Sequence, residues 1–311
     1  VIIAHNGWGV MLYLKSFFPG ARLIGHFEWY YNLTGSDVDF LSPALATPEK
    51  AQKLQLRNMT ILAGLNDCDA AVTPTRFQAG QFPVPLRQKL QIIHEGIDTA
   101  FYQPALDKPR RIGALDLSHA SHVLTYATRG LEAYRGFPQF MRALPLVQQR
   151  FPGMHTVIAG EDMTCYGPRP ASGLTWKGEM LSLVPGLDMA RVHFTGTLPR
   201  EDYRTLLQAS DAHVYLTVPF VLSWSLLEAM ACGCAIVASD TAPVREAITH
   251  GQTGWLVPFF DSAALAGRIA QVLEEGKSGA AVGMRRAARD MAGRYDQRLC
   301  LSQWRGLISA V

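Results

Sequence analysis

Between Val214 and Asp240 the chain reads VYLTVPFVLSWSLLEAMACGCAIVASD, and one acid, Glu228, lies inside its helical part. The run Val214 to Leu216 has strand character, Pro219 marks a turn, Ser225 to Ala231 reads as a helix, Gly233 stops it, and Ala235 to Ala238 is a second strand. A helix start after a strand leaves backbone N–H groups unpaired at the positive end of the helix dipole, a place suited to phosphate. Glu228, one turn further on, would accept hydrogen bonds from a ribose diol. The competing reading makes it an ordinary glutamate at the rim of a parallel sheet, since any doubly wound fold repeats this unit.

The composition narrows the partners. With 311 residues, 48% apolar and 18% charged, the chain can bury the cores of two α/β domains. A net charge of +3 without a basic block argues against nucleic acid; Lys108-Pro109-Arg110-Arg111 sits in an expected linker. Five cysteines (Cys68, Cys165, Cys232, Cys234 and Cys300) lack zinc-site spacing and read as reduced thiols of a cytoplasmic protein. No apolar run reaches the roughly 18 residues of a spanning helix.

Around the chemistry, the elements alternate. Val1 to Ala4 reads as a buried strand opening into the loop His5-Asn6-Gly7-Trp8-Gly9, with a helix from Val10 to Phe18 and a second strand, Leu23 to Gly25, ending at His26. Because the sequence starts inside a strand, the first domain is expected to begin partway through. Phe27 to Pro48 has no period and reads as a long loop; Glu49 to Leu65 is helical, and Ala70 to Thr73 and Leu90 to Ile93 are strands, the latter leading into His94-Glu95-Gly96. The Pro-bearing stretch Phe101 to Ala120 is expected to be the boundary. Beyond it, six strands (His122 to Ala127, Thr156 to Ala159, Val192 to Thr195, Ala212 to Leu216, Ala235 to Ala238, Trp255 to Val257) alternate with helices that include Val244 to Thr249. Such alternation means a doubly wound sheet. The domains are therefore expected at 1–103 and 104–295, with 296–311 a terminal helix packing back on the first.

The fragments Ala127-Thr128-Arg129 with Arg135-Gly136, Val157-Ile158-Ala159-Gly160, Phe194-Thr195-Gly196, Leu227 to Gly233 and Gly251 to Val257 occur in a fixed order. In that order the chain resembles the retaining GT-B glycosyltransferases of family 4. The resemblance implies an α/β fold of two Rossmann-like, doubly wound parallel-sheet domains facing a cleft, the first binding acceptor and the second the sugar nucleotide. It implies that Arg129 and Arg135 meet the leaving diphosphate, where fixed cations stabilise growing negative charge. It places Gly160, Thr195, Leu222, Ser223, Trp224 and Glu228 around the donor, and His26 beside the donor sugar. His5, Asn6 and Trp8 would line the acceptor side, polar groups next to an aromatic platform, with Trp8 in the core as the alternative. The family's first motif glutamate is Phe220 here, and its glycine-rich loop reads Val221-Leu222-Ser223.

Two Asp-x-Asp patterns, Asp37-Val38-Asp39 and Asp67-Cys68-Asp69, raise a divalent-metal site. Neither ends a strand, so no metal is expected, and because no glycine-rich dinucleotide fingerprint opens a strand and the nucleotide sugar would be a substrate, no cofactor is expected either. The expected activity is transfer of a hexose from a nucleoside-diphosphate sugar to a carbohydrate or lipid-linked acceptor with retention, the protein visiting a membrane at most weakly at its surface. Phe220 keeps one rival open, a non-catalytic sugar-nucleotide-binding or partner subunit, and a third reading is a GT-B epimerase acting on the nucleotide sugar itself.

Overall fold

Two parallel sheets carry the chain, each in its own compact unit. The computed structural model describes every residue except Lys277, and of Trp8 the backbone alone. One unit comprises Val1–Gly96, Pro219–Val221 and Tyr295–Val311; the other comprises Ile97–Val218 and Leu222–Arg294.

In the first unit the strands β1 (Ile2–His5), β2 (Leu23–His26), β3 (Ala70–Thr73) and β4 (Leu90–Ile92) lie in that spatial order, all parallel. The helix expected over Val10 to Phe18 shrinks to α1 (Leu14–Phe17), preceded by a 3-10 turn over Asn6–Trp8. Gly9 at φ 72° and Tyr13 at φ 68° take left-handed backbone conformations that no helix continues through. The long loop contains the helical turn α2 (Asp37–Phe40) and a 3-10 turn over Pro43–Leu45. Next come α3 (Pro48–Asp67), capped by Thr47, and the short helices α4 (Arg76–Gln81) and α5 (Val84–Arg87), which the apolar spacing did not announce. The core between helix and sheet is Met11, Leu23, Phe27, Ile61, Leu65, Ala71 and Phe82.

The chain passes to the second unit at Ile97, ahead of the Pro-bearing stretch. That stretch is not all linker: it pairs β5 (Arg111–Ile112) with β6 (Leu115–Asp116), and Ile112 and Leu117 are core. The strands β7 (His122–Gly130), β8 (Met154–Glu161), β9 (Val192–Gly196), β10 (Ala212–Tyr215), β11 (Ile236–Ser239) and β12 (Trp255–Val257) form one parallel sheet in the order β12-β11-β10-β7-β8-β9. Its helices are α6 (Phe137–Arg150), α7 (Trp176–Leu183), α8 (Arg200–Ala209), α9 (Trp224–Ala231), α10 (Ala242–Arg245), α11 (Ser262–Glu275) and α12 (Gly279–Gly293). The expected helix Val244 to Thr249 is the single turn α10, set by Pro243. From β7 the chain winds outward through β8 and β9, then returns to place β10 on the other side of β7. The carboxyl ends of β7 and β10 therefore splay apart, and in open α/β sheets that reversal is where ligands bind.

A last helix, α13 (Gln297–Ala310), belongs to the first unit, where Leu307 joins Ile24, Val72 and Ile93, flanked by Trp304, Ile308 and Val311.

Candidate functional site

At the strand-order reversal of the second sheet lies a small recess lined by Tyr126, Ala127, Thr128, Arg135, Tyr215, Leu216, Ser223 and Ser225. Its cation is placed by the core. Tyr126 stacks on Phe140, centroids 4.8 Å apart, and its hydroxyl donates to the Arg135 carbonyl at 2.7 Å, tying the loop after β7 to the first turn of α6. Gly136 lets that loop press on the end of β10: its φ is 66°, and a Cβ there would lie 2.4 Å from the Leu216 Cβ. The Arg135 guanidinium, 7% exposed, donates from Nη1 to Thr217 Oγ1 at 2.9 Å and lies 5.6 Å from the centroid of the Tyr166 ring.

Arg129 is exposed at the end of β7, and its interaction with the Tyr166 hydroxyl raises its pKa. The two arginines thus converge on Tyr166, which no motif announced. Glu132, fully buried between them in sequence, accepts the Tyr166 and Gly167 amides at 3.0 and 2.8 Å and so holds the loop bearing that ring. A buried acid three residues before Arg135 was the available signal.

The serine-rich start of α9 differs from expectation. Ser223 N donates to the Tyr215 hydroxyl at 2.9 Å, Ser225 N to Ser223 Oγ at 3.3 Å, and Leu226 N to the Ser223 carbonyl at 3.2 Å. These N–H groups are occupied internally, so the pull on an anion comes from Arg135, the helix dipole and the serine hydroxyls rather than from unpaired amides. Leu222 is buried and offers only its backbone, and Trp224 is exposed. Gly160 ends β8 at φ 142°, where a Cβ would lie 2.4 Å from the Thr128 carbonyl oxygen. Thr195 sits half-buried on the edge strand β9, its hydroxyl on the Gly196 carbonyl at 3.2 Å, outside the recess.

Glu228 is also outside the recess lining. It is half-buried, and desolvation raises its pKa against the opposing pull of the Tyr203 and Tyr102 hydroxyls and the Arg200 charge. A free carboxylate awaiting a diol is thus corrected to one already flanked by two phenols. Tyr203 lies on α8 and Tyr102 at the start of the Pro-bearing stretch, neither of which sequence spacing connects to α9.

In the first unit, parallel pairing sets His5 against His26 in register, and their rings lie 5.1 Å apart. His5 Nδ1 accepts from Gly7 N at 3.0 Å, leaving Nε2 3.4 Å from Glu28 Oε2. Gly7 lets the His5 ring lie against the backbone, since a Cβ would fall 2.6 Å from His5 Cε1 and displace that ring. His26 Nε2 lies 3.0 Å from Glu95 Oε1, and His94 Nε2 lies 3.7 Å from Glu95 Oε2. Burial pushes the Glu95 carboxyl up, but His26 and His94 outweigh it and hold its pKa low; burial lowers that of His94. His94 and Glu95 follow the strand β4 as His26 closes β2, and this shared place at a strand's carboxyl end is the signal the sequence carries for them.

Asn6 does not line a surface. It is 1% exposed, and α3 brings Gly64 so close that a Cβ there would lie 2.2 Å from Asn6 Oδ1. The Trp8 side chain lies outside the described residues. Phe220 packs edge-on against Trp29, centroids 4.9 Å apart. The Asp-x-Asp acids have structural tasks: Asp39 accepts the Gly35 and Ser36 amides at 3.0 and 3.3 Å, and Asp69 holds Lys15 Nζ at 2.6 Å and Leu23 N at 2.7 Å.

Two protein-family models match this chain. Residues 1–102 match "Glycosyl transferase family 4 group", and residues 121–275 match "Glycosyl transferases group 1". The chain belongs to the family 4, group 1 glycosyltransferases. Among family members, the D-inositol 3-phosphate glycosyltransferase of Mycolicibacterium vanbaalenii is 29% identical over 221 residues, 66% of this chain and 46% of that protein. The glycogen synthase of Mycobacterium tuberculosis is 29% identical over 194 residues, 60% of this chain and 40% of that one. The chain thus spans under half the length of these curated relatives.

The fold matches solved structures over nearly its whole length. Anabaena HepE, solved in complex with UDP and glucose, gives a TM-score of 0.74 at 18% identity, covering 99% of this chain and 78% of that one. Sucrose-phosphate synthase from Thermosynechococcus elongatus gives 0.72 at 17%, covering 99% and 74%. Two parallel-sheet α/β units are what the GT-B resemblance called for. Among the described residues, no helix is long and apolar enough to cross a membrane.

Proposed function

We propose that this protein is a retaining glycosyltransferase that moves a hexose from a nucleoside-diphosphate sugar to a carbohydrate or lipid-linked acceptor. The observation that carries the reading is the desolvated Arg135 guanidinium, fixed at the strand-order reversal beside the hydroxyl-bearing start of α9. A permanent cation held in a partly dry recess stabilises negative charge far better than one in water, and the charge that grows as a glycosyl–phosphate bond breaks is on the leaving diphosphate. Arg129 supplies a second, exposed cation at the rim. The UDP and glucose bound to HepE, and the sugar-transferring names of the curated relatives, support a nucleotide-sugar donor. The donor is a substrate, and the reading takes neither metal nor other cofactor. Retention rests on the family resemblance.

In the test, UDP, GDP, ADP and TDP, each alone and as its sugars, are screened by thermal shift, followed by incubation of the stabilising donor with mono- and disaccharide and polyprenyl-linked acceptors in EDTA. One base is expected to raise Tm; a ligand at a hundred times its Kd adds about 2.7 kcal/mol. The product anomer, read by NMR, is expected to match the donor, and EDTA to leave the rate unchanged. No stabilisation by any nucleotide sinks the proposal.

Phe220 favours a second reading, a sugar-nucleotide-binding subunit without turnover, because the position of the family's first motif glutamate is given over to packing on Trp29. Tight donor binding with neither transfer nor hydrolysis would select it.

A further inference from the structure

The first sheet carries a carboxylate that the transferase reading does not use. Glu95 follows β4 and lies between two imidazoles, Oε1 at 3.0 Å from His26 Nε2 and Oε2 at 3.7 Å from His94 Nε2. The surroundings leave this arrangement little freedom. His94 Nδ1 accepts the Gly96 amide at 2.9 Å, which puts its own proton on Nε2, toward Glu95. Gly96 has φ 86°, and a Cβ on it would fall 2.5 Å from the Gln297 Cα, so the turn after Glu95 is pressed on the start of α13. Tyr295 meets the His94 ring edge-on at 4.9 Å, and Trp304 flanks the His26 ring at 6.0 Å. His5 stands on the other side of His26 with Glu28 beyond it, and Cys300 and Asp296 are titratable neighbours on the Tyr295 side.

We propose that Glu95 is a positioning residue for His26: its carboxylate, 3.0 Å from Nε2, holds the His26 proton on that nitrogen and fixes the ring, so that the bare Nδ1 is left to accept any hydrogen bond from a bound sugar hydroxyl. The second nitrogen of an imidazole takes its role from the bond made by the first, as it does for metal-bound and general-base histidines. Without the carboxylate, either nitrogen carries the proton and the ring loses its anchor. What His26 does to a substrate rests on the transferase reading; how His26 is held does not.

The test joins a spectroscopic and a kinetic readout on the full chain. In wild type, 15N shifts of the neutral His26 ring are expected to show Nε2 protonated and Nδ1 bare. Glu95→Met fills the same volume without an acceptor and is expected to give a mixture of the two tautomers; Glu95→Ala serves should the Met variant not fold. With the donor found above, Glu95→Met is expected to lower kcat at least tenfold while KM for donor changes less than about threefold. Glu95→Asp, which keeps the acceptor, should recover part of the rate. A His26 ring that stays Nε2-protonated without Glu95 overturns the proposal, as does an unaltered kcat. A tautomer change in a protein that turns over no nucleotide sugar upholds the positioning role and removes the transferase reading instead.

Discussion

Arg135 shows how one side chain can be both structural and chemical. Its guanidinium donates from Nη1 to the Thr217 hydroxyl and lies beside the Tyr166 ring, and a lysine keeps the charge but not the planar geometry that meets both. Arg135→Ala is expected to lower kcat/KM about a hundredfold, roughly 2.7 kcal/mol of transition-state stabilisation. Arg135→Lys should recover part of it, and Arg129→Ala, at an exposed site, should cost less than Arg135→Ala. Equal rates for Arg135→Ala and wild type would take this residue out of the mechanism. Glu228 gives a pH prediction of definite sign. Its folded pKa lies above the usual 4.5 because burial disfavours the anion, so the folded protein binds this proton more tightly than the unfolded chain does. The contribution to stability is present below the unfolded value and is lost as pH rises through the folded one. Glu228→Gln, which cannot ionise, is therefore expected to melt higher than wild type at pH 7, the difference closing as pH drops toward 4. A difference that stays constant from pH 4 to 7 would contradict this account of the desolvated carboxyl.

At the level of elements, period and punctuation were enough to locate most of the second sheet. Strands such as β7 are buried over Val123 to Ala127 on both faces, Gly233 stops α9 where a left-handed residue is needed, and the strand Trp255–Val257 has the same bounds in sequence and structure. What stayed illegible depends on contacts distant in sequence. Nothing near Asn6 says that Gly64 on α3 will cover it, and nothing near Glu228 names Tyr102 and Tyr203. Likewise α7 begins where Thr175 caps it, but its mixed composition gives no stripe, and Tyr13 interrupts the expected helix Val10 to Phe18 without a glycine's warning. The β8–β9 pairing carries a similar hidden device. His155 Nδ1 and His193 Nε2 are 2.8 Å apart with their rings 6° from parallel, an N–H···N bond that exists only while at least one ring is neutral. Burial first, then the neighbouring imidazole of His119 and, at His155, those of His193 and the Arg191 charge, lower both pKa values. A depressed folded pKa means that the unfolded chain takes up protons first, so this pair stabilises above about pH 6.5 and its contribution fades as pH falls below that. His155→Gln is expected to flatten the fall in Tm between pH 7 and 5; an unchanged slope would assign the acid sensitivity elsewhere.

For the molecule as a whole, two cores imply that unfolding need not be a single transition. The last helix makes this testable, because α13 is far from β2, β3 and β4 in sequence yet completes their core. Leu307 packs with Ile24, Val72 and Ile93, and Trp304, Ile308 and Val311 flank them. Each large apolar side chain so buried contributes about 2 kcal/mol, and removing one from a packed core costs roughly 2–5 kcal/mol. Leu307→Ala should therefore lower the melting of the first unit while leaving the second sheet, which shares none of these residues, as it was. Hydrogen exchange resolves the two: protection in 23–26 and 70–73 should drop, and that in 122–130 and 212–215 should hold. The variant also bears on catalysis, since the same helix seats Trp304 against His26. Loosened α13 is then expected to reduce kcat more than donor affinity, a deficit that cooling should partly restore as the helix re-docks. Uniform loss of protection in both sheets would show instead that the terminal helix supports one cooperative whole, and the description of two separately cored units would fall.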